Sequence, residues 1–276
     1  EEESPWNIDG ELVIGHDSNV SRAALSRDVV DDNTALLSLA AAWTRELDLM
    51  SAVTLRGFLE GEAFSELDSL NRRSAGVQAI YRWQYELGYT APFFQASLSA
   101  QQDDFDSSLR DADRYVAQAF VTRRFTDALR GSFGMEWSRS ESDGVVFDVD
   151  QRRFFANLDL ALNRHWAVYG TYAQARGDTI SSAQLVFCNG ATAPDIYPLI
   201  DASDAVETDE ALNAALCGSW LAYRLPAMTH AFTFGANRGF GHSASLDLSV
   251  QHVEVLGRGD NDYQRTLLRA GILARF

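Results

Sequence analysis

The tetrapeptide His16-Asp17-Ser18-Asn19 gathers the residue types of a nucleophilic hydrolase into one short stretch. If the stretch is a β-strand, a period of two puts His16 and Ser18 on one face, alongside Leu12 and Ile14. A serine becomes a nucleophile when an imidazole within hydrogen-bond reach takes its proton, and the imidazole needs a third group to orient it. No third group is evident from spacing. The acidic runs, Asp103-Asp104 with Asp106 and residues 201–210, carry oxygen donors of the kind that hold Ca²⁺ or Mg²⁺, and they read equally as solvated surface. His165, His230, His242 and His252 lack metal-ligand spacing, so neither a metal nor a cofactor is expected. Arg258-Gly259-Asp260 lies among turn-forming residues and reads as turn chemistry.

The elements that position these residues are read most clearly from the far end of the chain. Residues 263–276 read Y-Q-R-T-L-L-R-A-G-I-L-A-R-F. Counting back from Phe276 in twos gives Ala274, Ile272, Ala270, Leu268 and Thr266, an uncharged and mostly apolar face, while the other face carries Arg269 and Arg275. A soluble protein rarely exposes such an edge, because it invites strand-to-strand aggregation. A strand that closes a membrane barrel has a reason to end this way.

The same alternation recurs along the chain. It marks strands at 11–22, 34–44, 51–62 and 74–85, the last with Tyr81, Trp83 and Tyr85 bunched at one end as in an interfacial girdle. Further strands follow from Phe94, Tyr115, Leu129, Phe154 and Trp166, and then at 229–240, 244–256 and 263–276. Short links (45–49, 87–91, 125–128, 163–165) alternate with longer polar ones (23–33, 65–73, 105–113, 140–149), the rhythm of periplasmic turns and external loops. Parity gives about 12 strands and leaves 178–228 as one long external excursion. Residues 208–223 begin like a helix, with Thr208, Asp209 and Glu210 before an Ala/Leu-rich run. Pairing this stretch with 182–187 would instead give 14 strands.

The polar faces of these strands place Arg56, Glu60, Arg82, Arg130, Glu136, Arg153, Asp159 and Arg269 toward a lumen. There they would set a pore's potential and selectivity or cross-link one another and fill it. No run of apolar residues is long enough for a transmembrane helix, which a barrel does not need. The net charge of -16 argues against nucleic acid as a partner. All 23 basic residues are arginine, whose planar fork suits carboxylate and phosphate. Cys188 and Cys217 flank the irregular stretch and would form one disulfide in an oxidising compartment, stapling the excursion against the barrel mouth. The opening E-E-E-S-P-W looks like a mature N-terminus, and residues 1–10 read as a periplasmic lead to a barrel of 11–276.

Along nearly its whole length the chain resembles the Gram-negative outer-membrane β-barrels, on its closing strand, its half-apolar strands and its loop rhythm. The resemblance implies an all-β fold: a single antiparallel transmembrane barrel with both termini periplasmic. It also implies insertion by the barrel-assembly machinery, which reads a terminal Phe such as Phe276. Outer-membrane lipids and lipopolysaccharide would be its surroundings, and an envelope protein a further partner. His16-Asp17-Ser18-Asn19 resembles the His-x-Ser-Asn element of outer-membrane phospholipase A and the lipid A deacylases, although it lies in the first strand and Val20 replaces the phospholipase glycine. It equally resembles the Gly-Tyr-Asp-Ser-Asn opening of non-enzymatic barrels such as the surface lipoprotein assembly modifiers, with His16 for Tyr. The expectation is therefore a non-enzymatic barrel, either a small porin or the membrane anchor of an envelope complex. The alternative is a lipid hydrolase using His16 and Ser18.

Overall fold

A computed structural model describes residues 5–241, 243–259 and 261–276. Residues 1–4 of the acidic lead, His242, and Asp260 of the Arg-Gly-Asp triplet lie outside the described residues. The strands are β1 (Trp6–Asp17), β2 (Asp32–Asp48), β3 (Ser51–Phe64), β4 (Arg72–Gln84), β5 (Phe93–Phe105), β6 (Ala112–Arg124), β7 (Leu129–Ser142), β8 (Val149–Ala161), β9 (Trp166–Val186), β10 (Ala205–Thr208), β11 (Ser219–Phe240), β12 (Ala244–Gly257) and β13 (Tyr263–Arg275). Two short helices, α1 (Tyr197–Asp201) and α2 (Glu210–Ala215), precede β11.

From β1 to β9 and from β10 to β13 each strand pairs antiparallel with the next, β13 returns to β1 through pairs such as Val13↔Gly271, and β9 joins β11. Twelve strands thus close a barrel, and closure leaves no edge to aggregate. The thirteenth, β10, lies outside the ring. It covers the edge of β11 at residues 221–224, above the last β11–β12 pair, Ala227↔Gly257.

Alternation does the work that a core does in a soluble protein. Leu12, Leu39, Leu59, Leu98, Phe133 and Ile272 are all exposed on the outer face, as a lipid-facing surface requires. Trp6, Trp43 and the Trp83–Phe94 stack lie toward the end that carries the short turns and both termini, where aromatic rings suit a membrane interface.

The packed core sits instead at the opposite end. One cluster joins Leu67, Leu70, Ala211, Leu212 and Trp220, a second Ala183, Ile196, Leu199, Tyr223 and Leu225, and a third Val146, Phe147 and Ala222. Four of the loops at this end share one device. Each of Asn71, Asp111, Asp148 and Asp262 accepts a hydrogen bond from the backbone N–H that ends the preceding strand, at Phe64, Phe105, Ser142 and Gly257, over 2.6–2.9 Å. An Asx side chain at that position closes the loop and satisfies a backbone donor that has left the ladder.

Several boundaries differ from the sequence expectation. The first strand spans Trp6–Asp17 and not 11–22, so half of the expected lead is strand. Residues 18–31 fold into the first external loop, because Asn19 and Ser21 hydrogen-bond to their own backbone neighbours in place of a ladder. The excursion at 178–228 is less a loop than a continuation of β9 and β11, paired up to Val186↔Ser219. Within 208–223 the helix is only α2, after which β11 begins. The alternative pairing is real in register (Ser182↔Ala222, Ala183↔Leu221), but it lengthens two strands and adds none to the ring.

Candidate functional site: the lumen and its lid

The extension of β9 and β11 folds as a lid across the mouth opposite the termini. It leaves β8 at Gly177, whose φ of +145° is open to glycine, and a Cβ there would stand 2.0 Å from the Asp150 carbonyl oxygen. Beyond that bend β9 finds new partners across the barrel. The Ser182 N–H donates to the Ser21 carbonyl (3.0 Å) and the Gln184 N–H to Asp28 (3.3 Å), both in the first loop. Asp209 is the central latch. Its fully buried carboxylate accepts two bonds from Arg110 (3.0 Å each) and one from Ser182 (2.6 Å), and it caps α2 at the Leu212 N–H. The Cys188–Cys217 disulfide, with Cα atoms 5.3 Å apart, ties the outer corner of the lid.

Within the barrel, the residues expected to face the lumen occupy the strand face opposite the exposed apolar row. Arg56 and Glu60 alternate with Leu55 and Leu59, Arg82 lies between Tyr81 and Trp83, and Arg269 follows Leu268. Many are paired across strands. Arg130 Nε meets Asp159 at 3.2 Å and Arg153 meets Glu136 at 3.8 Å, while Arg56 meets Asp9 at 3.7 Å. Glu136 also accepts from Gln118 (3.0 Å). Aromatic side chains fill the space beside inward glycines: Phe58 at Gly76, Phe120 and Phe155 at Gly134, and Tyr169 at Gly235. An aromatic ring across the strand restores the packing a glycine lacks. Arg56 and Arg153 rest on two of these rings, and Tyr169 donates to Asp247 (2.9 Å). The inner wall is thus ordered by ion pairs and stacked rings.

Between this wall and the lid lies a chamber of about 510 Å³. Arg72, Arg110, Arg114 and Arg265 line it, none of which stood out in the sequence, together with Asp17, Glu62 and Glu136. The signal was available in part: Arg72, Arg114 and Arg265 have inward parity near the external ends of their strands. Asp103, which reads in sequence as a loop acid, is a fully buried strand residue between Arg114 (3.2 Å) and Arg72 (3.6 Å). The acids of 201–210 also serve as structural partners, Asp204 to Arg258 (3.1 Å), Glu207 to the Val145 N–H (3.3 Å), and Asp209 as above. Among the described residues no group of three or more His, Cys, Asp or Glu is placed to hold a metal.

His16 lies on the outer face beside Ile14. Its Nδ1 is 3.2 Å from Asn33 Oδ1, on the neighbouring strand, and its Nε2 is 3.9 Å from Asp31. Ser18 Oγ accepts from the Thr266 N–H (2.8 Å). Asp17, between them in sequence, turns inward to Arg265. The structure therefore supplies an orienting partner for His16, Asn33, which spacing alone did not reveal because it lies on another strand.

The chain matches no sequence-family profile, and no curated protein matches it in sequence. Among solved structures it is similar to an outer-membrane channel from Pseudomonas putida F1, at 13% identity and a TM-score of 0.58, over 100% of this chain and 97% of that one. The NanC porin aligns with 9% identity and a TM-score of 0.46 over 95% and 98% of the two chains. LpxR from Salmonella typhimurium aligns with 11% identity and a TM-score of 0.38 over 96% and 99%. The first of these agrees with the strand pattern in assigning an outer-membrane β-barrel fold.

Proposed function

We propose that this chain is a non-enzymatic channel of the bacterial outer membrane, with both termini periplasmic and the lid outside. The observation that carries the reading is the lumen: a wall of paired charges leading to a polar chamber under a latched lid. Cross-linked charges could also fill an anchor barrel, so what favours the channel is the polar chamber that continues beneath the lid. Its apolar rows meet outer-membrane lipids and lipopolysaccharide, and its closing strand, ending in Phe276, is the segment offered to the barrel-assembly machinery. Twelve strands give a bore between the filled eight-stranded barrels and the open sixteen-stranded porins, so conductance is small and set by the lining charges. Purified, folded protein in a planar bilayer is expected to give current steps that grow when 187–218 is replaced by a tight turn. Silence from both proteins would overturn the channel and leave the anchor.

A second reading rests on the His16–Asn33 hydrogen bond. With Asn33 accepting the Nδ1 proton, Nε2 would be the base; His16 and Ser18 share no hydrogen bond in this structure, so the reading needs a shift that brings Ser18 to Nε2. Turnover of phospholipid or lipid A that is lost in Ser18→Ala and sharply reduced in Asn33→Ala would establish it. No turnover by the unmutated protein eliminates it.

A further inference from the structure

The chamber under the lid is unusual in how its arginines are held. In a chain of net charge -16, its wall gathers a cluster of guanidinium groups, with the carboxylates Asp17, Glu62 and Glu136 beside them. Arg110 is held by Asp209 and Arg114 by Asp103, and both carboxylates are fully buried. Arg72 is shared between Asp103 and Glu62. Arg265 is paired with Asp17. Asp103 and Asp209 lie outside the chamber lining while Asp17 and Glu62 share it, and each guanidinium keeps donors beyond those its carboxylate takes, since it has five N–H groups and one carboxylate takes at most two.

Arg22 differs from the rest. It lines the same chamber, and among the described residues its guanidinium has neither an ion pair nor a hydrogen-bond partner. Its backbone is the single non-glycine in the left-handed region among the described residues, at φ +53°, a conformation that costs about 1–2 kcal/mol. Asn19 enforces it. The Asn19 amide donates to the Ala23 carbonyl (3.2 Å) and the Gln264 carbonyl (3.1 Å), and accepts from the Ala23 N–H (3.0 Å) and the Ser21 hydroxyl (3.1 Å). The fold thus spends a saturated buried amide to hold a strained turn that carries an unpaired cation to the chamber wall. Burial, and the like charges of Arg265 and Arg110, push Arg22 below the usual arginine range. Arginine does not respond by losing its proton, so the conflict is relieved by an anion.

We propose that the chamber is a binding site for a small, multiply charged oxyanion, gripped by Arg22 with Arg110, Arg114 and Arg265. Phosphate esters and polycarboxylates share the required chemistry, because both match the bidentate fork. The volume suits a ligand of a few non-hydrogen atoms up to the size of a sugar phosphate. The proposal rests on the channel reading only for the route by which the anion arrives.

Calorimetric titration of the detergent-solubilised full chain tests it, with inorganic pyrophosphate in one arm and citrate in the other at constant ionic strength. Saturable binding of about one equivalent in at least one arm is expected, and the arm that responds assigns phosphate or carboxylate. Arg22→Gln should weaken binding at least tenfold, and Arg22→Lys by less, since lysine restores charge without the fork. Both variants are first checked for the heat-shifted electrophoretic mobility of a folded barrel, and Arg22→Lys keeps the test decisive if Arg22→Gln misfolds. Absence of binding in both arms by the unmutated protein, or an affinity unchanged in both variants, would overturn the site. Binding without bilayer current would sink the channel and spare the site; current without binding would do the reverse.

Discussion

Asp209 is where the lid is most exposed to a single change. Its carboxylate has no contact with solvent and serves Arg110, Ser182 and the first turn of α2 at once. Removing one partner of a buried charge pair leaves the other uncompensated, at a cost of about 3–5 kcal/mol. Asp209→Ala should therefore release α2 and the neighbouring part of β11, seen as faster amide hydrogen exchange there while the spanning strands stay protected. Unchanged exchange in α2 would show that the apolar clusters alone hold the lid. Asp28 gives the same region a pH dependence. Burial pushes its carboxyl up, and the Gln184 N–H and Arg27 offset only part of the shift. A carboxyl raised in the folded state contributes stability that is present below the ordinary carboxylate pKa and lost as pH rises through its folded value. Once exchange is corrected for its intrinsic pH dependence, the first loop should be better protected at mildly acidic pH than at neutrality, and Asp28→Asn should flatten that difference.

Strands carry their instructions locally, and the outer face shows how strictly. Leu98 is 66% exposed in the middle of β5, between Ala79 of β4 and Ala117 of β6. Arginine there would place a charge against lipid at a cost of about 2–4 kcal/mol, so Leu98→Arg should lower the stability of the vesicle-inserted barrel to urea by that amount. The same substitution at inward Ser99 should be nearly neutral. This contrast is legible in the sequence because the period of two separates the faces before any contact is known. Strand ends are another matter. β1 stops at Asp17 and β9 continues past Gly177, since each boundary is set by what lies across the mouth: Thr266 and Val30 for the first loop, Ser21 and Asp28 for the lid. The start of α2 was visible through its Asp209 cap, whereas the conversion to strand at Ser219 depends on the partner β9 supplies.

For the whole molecule, the Cys188–Cys217 bridge closes a loop with a sequence separation of 29. Chain-entropy arguments give on the order of 3–4 kcal/mol for a loop of that size. Reduction, or Cys188→Ser with Cys217→Ser, should loosen 187–218 and raise bilayer conductance without unfolding the ring, whose closure depends on strand pairing and lipid. Protease nicking confined to 187–218 after reduction is the matching structural readout. Nicking within β2–β8 would show that lid and barrel form one cooperative unit.

The alternation of apolar and polar residues, the loop rhythm and the two cysteines point to an outer-membrane barrel from the chain alone, because each is a local pattern; the choice between twelve and fourteen strands is made by the pairing of β9 with β11. Folding alone brings His16 to Asn33, Asp103 to Arg72 and Arg114, and Arg22 to the chamber wall. The first two are set by the register of neighbouring strands, β1 with β2 and β5 with β4 and β6, and the last by the first loop meeting the lid over the mouth. No spacing in the sequence encodes a distance across a closed ring.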